Sequence, residues 1–411
     1  MIMSQSPARS RTSKLLASVA ALAVGAGLIV GSGSGTVGAD PKAIDAFVGL
    51  GSDTTQDVLN GLSGFSTGNF YTPVASAEAS GYRVLSSFDA VLPAGASDRC
   101  ITPKVKAPTI YRSNGSSEGR RALSRAIDGT GYGPADQCGG TKDVAGLVDF
   151  ARSSSGPSGG DTGTDLTYVP FGRDGVSFAY YRASGGAPVT SLTRAQLTTL
   201  FTTGPQTING VRIVPCGIQT GSGTYQFWNT VTTATVSQED TATTECNDLG
   251  GTGRLQEHDG DGLKAKGDLV TAGQQVIVGF SAGQFIAQEN GVSPDRVPTG
   301  DVDLGTITDP NIGKPYSGTV PNLVPNAGFY DNAVFGRSVY NVLETAKLTN
   351  VGNNALKEIF VGRTGVDFGG GDGVAALCSP DAQETVNRFG FSTPSDCGSQ
   401  TVKGSLRSGI K

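Results

Sequence analysis

The chain has 411 residues, 37% of them hydrophobic, with 61 glycines, 31 basic and 36 acidic residues. That length allows two domains or one large two-lobed body, and so much glycine with so few charges suits a loop-rich α/β or α+β globule better than a helical bundle. A net charge of −5 without Lys/Arg clusters argues against nucleic acid as the partner, while leaving room for a small anion, because local donors decide that.

Residues 1–39 stand apart from the fold. Arg9, Arg11 and Lys14 precede the apolar run Leu15–Val30, and small residues follow up to Val37-Gly38-Ala39. A basic start, a short apolar core and small residues before a cut describe a secretory signal peptide; the run is short for a membrane span. Cleavage is expected after Ala39, giving a soluble exported chain, secreted or periplasmic, of formal charge −8 (28 basic, 36 acidic residues). No cysteine near that junction could carry a lipid anchor. Cys100, Cys138, Cys216, Cys246, Cys378 and Cys397 all fall in the exported part, and an even number there reads as disulfides. Nearest-neighbour pairing, Cys100–Cys138, Cys216–Cys246 and Cys378–Cys397, is expected among the 15 pairings that six cysteines allow. Zinc is a poor rival without a C-x-x-C and with one histidine; no metal or cofactor is expected.

In chain order, Ala46–Gly51 reads as a strand ending in glycines, and Ser52-Asp53-Thr54-Thr55-Gln56 leads into a short helical face of Val58, Leu59 and Leu62. Residues 63–108 read as an irregular surface excursion. Thr109–Tyr111 is a strand feeding Asn114-Gly115-Ser116-Ser117-Glu118-Gly119, after which Ala122, Leu123, Ala126 and Ile127 share one helical face. Val144–Phe150 reads as a strand ending in Ala151-Arg152-Ser153-Ser154-Ser155, and Leu166–Pro170 and Val176–Tyr181 as two successive strands. A helix over Thr193–Phe201 has Thr193 as cap. The strand Val211–Val214 leads to Gln219-Thr220-Gly221-Ser222-Gly223-Thr224 and a helix through Trp228 and Val231. Residues 248–267 are polar and glycine-rich; Gln275–Phe280 is a strand and Ala282–Asn290 a helix. Pro294–Pro325 is irregular, Val334–Val342 a strand or strand-helix element, Leu356–Val361 part of a helix, and Asp381–Phe389 a helix. Alternating strands and helices favour an α/β class.

Four stretches share one chemistry: Gly51–Thr55, Asn114–Gly119, Arg152–Ser155 and Gly221–Thr224. Each follows an expected strand, and three precede an expected helix. Helix N-termini expose unpaired N–H groups at a positive dipole end, glycine lets a ligand approach, and hydroxyls add donors. Such loops gather beyond the carboxyl ends of strands in open α/β sheets, where they can hold an oxyanion.

In their order these stretches resemble the phosphate-binding proteins of ABC importers. The matching pieces are Gly49-Leu-Gly51-Ser-Asp-Thr54, Tyr111…Gly115-Ser116-Ser117-Glu-Gly119, Asp149-Phe150-Ala-Arg-Ser153, Gly221-Ser222-Gly223-Thr224, Asp259-Gly-Asp-Gly262 and Val278-Gly279-Phe280. They cover most of residues 44–290 in order and, more loosely, Tyr340–Phe391. The resemblance implies an α/β, two-lobed, type II periplasmic-binding-protein fold. Lobe 1 would be residues 40–175 plus 326–411 and lobe 2 residues 176–325, with a ligand cleft between them. It implies ligand contacts from Ser116, Ser117, Ser222, Gly223 and Thr224. Asp53 and Thr54 fall where the family uses a threonine and its neighbour's backbone. The chain departs from the pattern where the family's arginine falls at Ile218, an aspartate at Thr220 and the proton-accepting aspartate at Ser154. Arg152, beside Ser153, is the candidate replacement cation, and Asp53 the candidate acceptor.

A Ser-His-Asp hydrolase would need His258, which lies in Glu257-His258-Asp259-Gly-Asp261-Gly, a segment that reads as a surface turn; no G-x-S-x-G surrounds Ser222. The same segment lacks the remaining EF-hand calcium ligands. Asn114-Gly-Ser116 is a glycosylation sequon whose glycan would block the cleft. The expected protein is therefore not an enzyme. It is a monomeric, secreted substrate-binding protein for phosphate or a related oxyanion, with an ABC permease as partner. The runner-up is a secreted non-transport binding or adhesion module that keeps the fold with a different ligand.

Overall fold

A computed structural model of the chain describes residues 40, 46–63, 85–92, 99–298 and 300–409. The signal peptide and its cut, and residues 64–84 and 93–98 of the excursion, lie outside them. The fold is mixed α/β, built on a ten-stranded sheet. Its first strands are β1 (Phe47–Gly51), which leads into α1 (Gln56–Leu62), and β2 (Leu85–Ser87). After α2 (Ser116–Asp128) come β3 (Phe150–Ser153) and the long β4 (Leu166–Tyr181). α3 (Arg194–Thr203) is followed by β5 (Gln206–Ile208), β6 (Val211–Pro215), α4 (Gly223–Thr232), α5 (Val236–Asp248) and α6 (Gly260–Leu269). β7 (Gln275–Ser281), α7 (Ala282–Glu289), β8 (Gly336–Glu344), α8 (Asn354–Phe360) and α9 (Pro380–Arg388) complete the larger elements.

The strand order is β2-β1-β3-β8-β4-β7-β6-β5. β1 is parallel to both β2 and β3, and β7 is parallel to β6, while β8 runs antiparallel between β3 and β4. β4 is the seam: its first half pairs with β8, and its last residues, Val176–Tyr181, pair with β7. Nearly every residue of β4 is buried, which explains an almost continuous apolar run rather than alternation. Pro170 interrupts it without breaking it. The register with β8 shifts between Val339 and Tyr340, opposite Gly172 and Pro170, and such a bulge is where a strand can accommodate a residue with no N–H. Two separate strands had been expected here; the structure joins them.

The apolar side chains form three clusters. One draws on residues 176–335 and centres on Trp228, Phe178, Phe201 and Phe280. The other two draw mainly on 48–171 together with 339–391; Ala287 is buried with them, and the half-buried Phe47, Val292, Val402 and Leu406 pack against them. Phe329, Tyr330 and Phe335 pack with the first cluster.

The three disulfides are the nearest-neighbour set, with Cα–Cα distances of 5.5, 5.0 and 5.8 Å, ordinary for a bridge. Several local expectations are corrected. Within the expected surface excursion, Leu85–Ala90 is buried and supplies a sheet strand. Residues 144–149 are turn and coil, so the strand expected there starts only at Phe150 and carries Arg152 and Ser153 inside it. α5 had no helical periodicity to announce it; a capping box of Thr235 and Gln238 starts it, and Cys246 ties it to Cys216. The glycine-rich 248–267 segment contains most of α6, opened by Asp259 Oδ1 accepting from the Gly262 amide.

Candidate functional site

β1 and β3 lie side by side and parallel, so the turns that leave them, Ser52–Thr55 and Ser154–Ser155, emerge at one end of the sheet. α2 and α4 bring their first residues to the same place. Gly115, the N-cap of α2, has φ 93°, and a Cβ there would lie 2.5 Å from the Gly221 carbonyl oxygen, so only glycine permits this approach. The Ser117 amide donates to that carbonyl at 3.2 Å. At Gly223 a Cβ would collide with the Ser154 and Ser116 hydroxyls.

The result is a packed cluster of hydroxyls from distant parts of the chain. Thr54 Oγ1 lies 3.3 Å from Thr224 Oγ1. Ser116 Oγ lies 3.3 Å from Ser154 Oγ and accepts the Ser154 amide at 3.0 Å. All four side chains are completely buried. Ser222 caps α4 by accepting from the Thr224 amide at 2.9 Å, and Ser117 sits at the edge, where its Oγ accepts from Gln226 Nε2 at 3.1 Å.

The cation beside this cluster is Arg337, from the start of β8. Its Nη2 donates to Thr224 Oγ1 and to Asp174 Oδ2, each at 2.7 Å, and its Nε reaches the same Asp174 oxygen at 3.1 Å. Asp174, on β4, also accepts from Ser281 Oγ and the Gly283 amide, both at 3.0 Å. Asp174 thereby fixes the guanidinium, leaving Nη1 without a partner among the described residues. Gln284 of α7 anchors the opposite turn, donating to the Thr54 carbonyl at 2.7 Å.

The expected replacement cation takes another role. Arg152 is fully buried, and its guanidinium donates to the Ser52 carbonyl at 3.0 Å, to Gly49 O at 3.3 Å and to Ser87 Oγ at 2.8 Å. It ties the ends of β1 and β2 together. Burial lowers its pKa to about 10, against the pull of Asp89, Asp53 and Asp57. Ser153 is likewise turned into its own loop, donating to the Ser155 carbonyl at 2.7 Å. Neither the Arg152 guanidinium nor the Ser153 hydroxyl forms a hydrogen bond to Thr54, Ser116, Ser154 or Thr224 among the described residues.

The Glu257–His258 segment, expected at the surface, is buried: Glu257 is 0% and His258 1% exposed. Thr54 Oγ1 donates to Glu257 Oε1. Burial alone would raise the Glu257 pKa, but the surrounding Asp53, His258, Ser222 and Thr54 outweigh it and hold the group below its ordinary value. Asp53 moves the opposite way. Burial, and after it the neighbouring Glu257 charge, push it well above the carboxylate range. Neither Asp53 oxygen has a hydrogen-bond partner among the described residues.

Burial, with Arg296 nearby, lowers His258 to about 3. Its 3.7 Å approach to Asp53 is therefore not an ion pair at neutral pH. The linkage signs oppose one another. His258, depressed when folded, withdraws stability as pH falls from about 6.5 toward its folded value; Asp53, raised when folded, withdraws it as pH climbs above about 4. His258 is the only histidine, so one imidazole resonance reports on it. In an NMR titration that resonance is expected to stay fixed between about pH 8 and pH 4.5, whereas a midpoint near 6.5 would contradict the burial.

Arg337, Asp174, Glu257 and Gln284 complete the site, and sequence reasoning missed all four. Arg337 is a lone arginine opening a strand, and Glu257 sits among glycines and charges that read as solvent-facing.

The chain is similar, at TM-scores below 0.5, to several solved substrate-binding and receptor proteins. One is a Clostridium perfringens structure with bound phosphate, assigned as a phosphate ABC transporter substrate-binding protein (13% identity, 85% of this chain and 100% of that chain covered, TM-score 0.45). A second is an ABC-type phosphate transport receptor from Vibrio cholerae (14%, 69% and 87%, TM-score 0.39), and a third is PstS from Borrelia burgdorferi (14%, 86% and 99%, TM-score 0.38). No protein-family model matches the chain, and no curated protein matches it.

Proposed function

We propose that this chain is an exported binding protein that captures phosphate or a related oxyanion and hands it to an ABC importer. The observation that carries this reading is the buried meeting of Thr54 and Thr224, 170 residues apart in sequence, with Arg337 donating to Thr224. Ser116, Ser154 and the α4 N-terminus at Ser222–Thr224 surround the same point. Preorganised hydroxyl and amide donors with one fixed guanidinium suit a tetrahedral anion and need no further full charge.

Lobe 1 (40–175 plus 326–411) supplies Thr54, Ser116, Ser154 and Arg337, and lobe 2 (176–325) supplies Ser222, Gly223, Thr224 and Glu257. Closure of the lobes brings the two sets together. Arg337 takes the part expected of Arg152. Ligand capture then involves no covalent chemistry, in keeping with Ser222 serving as a helix cap. Three disulfides fit an oxidising compartment outside the cytoplasm.

The test is thermal or chemical unfolding with phosphate, sulfate and a neutral sugar. A binding protein gains about 2.7 kcal/mol at ligand roughly 100 times its dissociation constant. Stabilisation by phosphate or sulfate and none by the sugar supports the reading; no stabilisation by either anion at millimolar concentration rejects it.

A further inference from the structure

A cavity of about 360 Å³ opens directly off the hydroxyl cluster, lined among others by Ser154, Ser155, Gln226, Phe227, Arg337 and Tyr340. Two of these belong to both places. Ser154 Oγ faces Ser116 Oγ, and Arg337 bonds Thr224 on one side and lines the cavity on the other. The Arg337 side chain is only 4% exposed, and its Nη1 has no partner among the described residues. A buried, unpartnered guanidinium nitrogen is costly unless something accepts from it.

The cavity is far larger than a tetrahedral anion requires. At about 30 Å³ per water it has room for roughly ten waters, and it falls within the range of pockets that take organic ligands. Its walls are mixed. The Phe227 ring centroid lies 5.4 Å from the Arg337 guanidinium, within cation–π range, and Tyr340 adds a second ring. Serine hydroxyls and Gln226 supply polar groups, with Gln226 held between Ser155 Oγ (3.2 Å) and Ser117 Oγ (3.1 Å). Hydroxyl-rich walls with a ring on each side suit a small polyol better than an apolar tail.

Building on the oxyanion reading above, we propose that the ligand is a phosphomonoester of a small polyol. Its phosphoryl group meets the Thr54–Thr224–Arg337 cluster, and its hydroxylated arm fills the Ser154–Gln226–Tyr340 cavity.

The experiment is calorimetric titration of the full exported chain with glycerol 3-phosphate, inorganic phosphate and glycerol. Glycerol 3-phosphate is expected to bind at least tenfold more tightly than phosphate, and glycerol not measurably. Thr230→Trp, from an exposed position at the cavity rim, is expected to reduce the ester to the affinity of phosphate while leaving phosphate within twofold of its original value. Ser158→Trp, exposed on the facing loop, is expected to do the same, so the result does not hang on one variant folding. Phosphate binding with no preference for the ester, or a preference that both tryptophans leave intact, overturns the cavity assignment alone. If neither phosphate nor the ester binds, the oxyanion reading falls and this inference with it.

Discussion

Arg337→Ala is expected to lose about 3–5 kcal/mol of stability and to abolish oxyanion binding. The stability loss arises at Asp174, a carboxylate with no exposure that would keep only the Ser281 hydroxyl and Gly283 amide once both guanidinium bonds were gone. Burial already pushes Asp174 above its ordinary pKa, with Arg337 the largest opposing influence, so the variant is expected to take up a proton there and lose least stability in acid. The binding loss arises at Thr224, whose hydroxyl would no longer be held by a cation. Arg337→Lys separates the two effects: a point charge can still face Asp174, but it lacks the planar fork that reaches Thr224 as well. Denaturant unfolding of both variants beside calorimetry is the measurement. The lysine variant should recover most of the stability and little of the affinity; wild-type affinity in either variant would remove Arg337 from the site.

Glu257→Gln is expected to tighten binding of a dianion at least tenfold, about 1.4 kcal/mol. Glu257 is the chain's own acid among the donors: it accepts the Thr54 hydroxyl, and its polar neighbours lower its pKa despite its burial. Like charges brought together in an interface cost several kcal/mol, so an incoming oxyanion must contend with that carboxylate. The amide keeps the shape and the acceptor oxygen while removing the charge. Asp53 would then lose the neighbour that raises it and fall toward the ordinary carboxylate range, though burial still holds it up. Phosphate titrations of the variant near pH 7 decide the matter. A weakening instead of a tightening would mean that Glu257 accepts a proton from the ligand rather than competing with it.

The parts of this fold that local chemistry encodes were readable before any coordinates. The capping box at Thr193 and Gln196 starts α3 where its threonine predicts, Gln275–Ser281 is a strand because an unbroken β-branched and aromatic run has little else to be, and cysteine spacing led to the three bridges. The gathering of Thr54, Ser116, Ser222 and Thr224 was readable as well, because each lies in a glycine-bearing turn after a strand. What escaped was decided by tertiary context. β4 passes through Pro170, Gly172 and Gly175, which punctuate most strands, because it bulges at Phe171, where Val339 and Tyr340 of β8 face Gly172 and Pro170. Arg152 looked like a ligand cation because it adjoins a serine run. Its position inside β3 instead aims it at the carbonyls of Gly49 and Ser52. Glu257 and His258 sit in a segment whose composition belongs to the surface, yet they are buried against the end of β7 and α7: the Ser281 amide donates to the Glu257 carbonyl at 3.2 Å and Gln288 Nε2 to that of His258 at 3.1 Å. No local pattern announces donors that come from Ser281 and Gln288.

The most direct measurement is diffraction from crystals of the protein soaked in phosphate. A tetrahedral peak within about 3 Å of the hydroxyls of Thr54, Ser116 and Thr224 and of the Arg337 guanidinium, with the Glu257 carboxylate displaced from Thr54, is the predicted result. Phosphate bound at full occupancy anywhere else, with Thr54 still donating to Glu257, would contradict it.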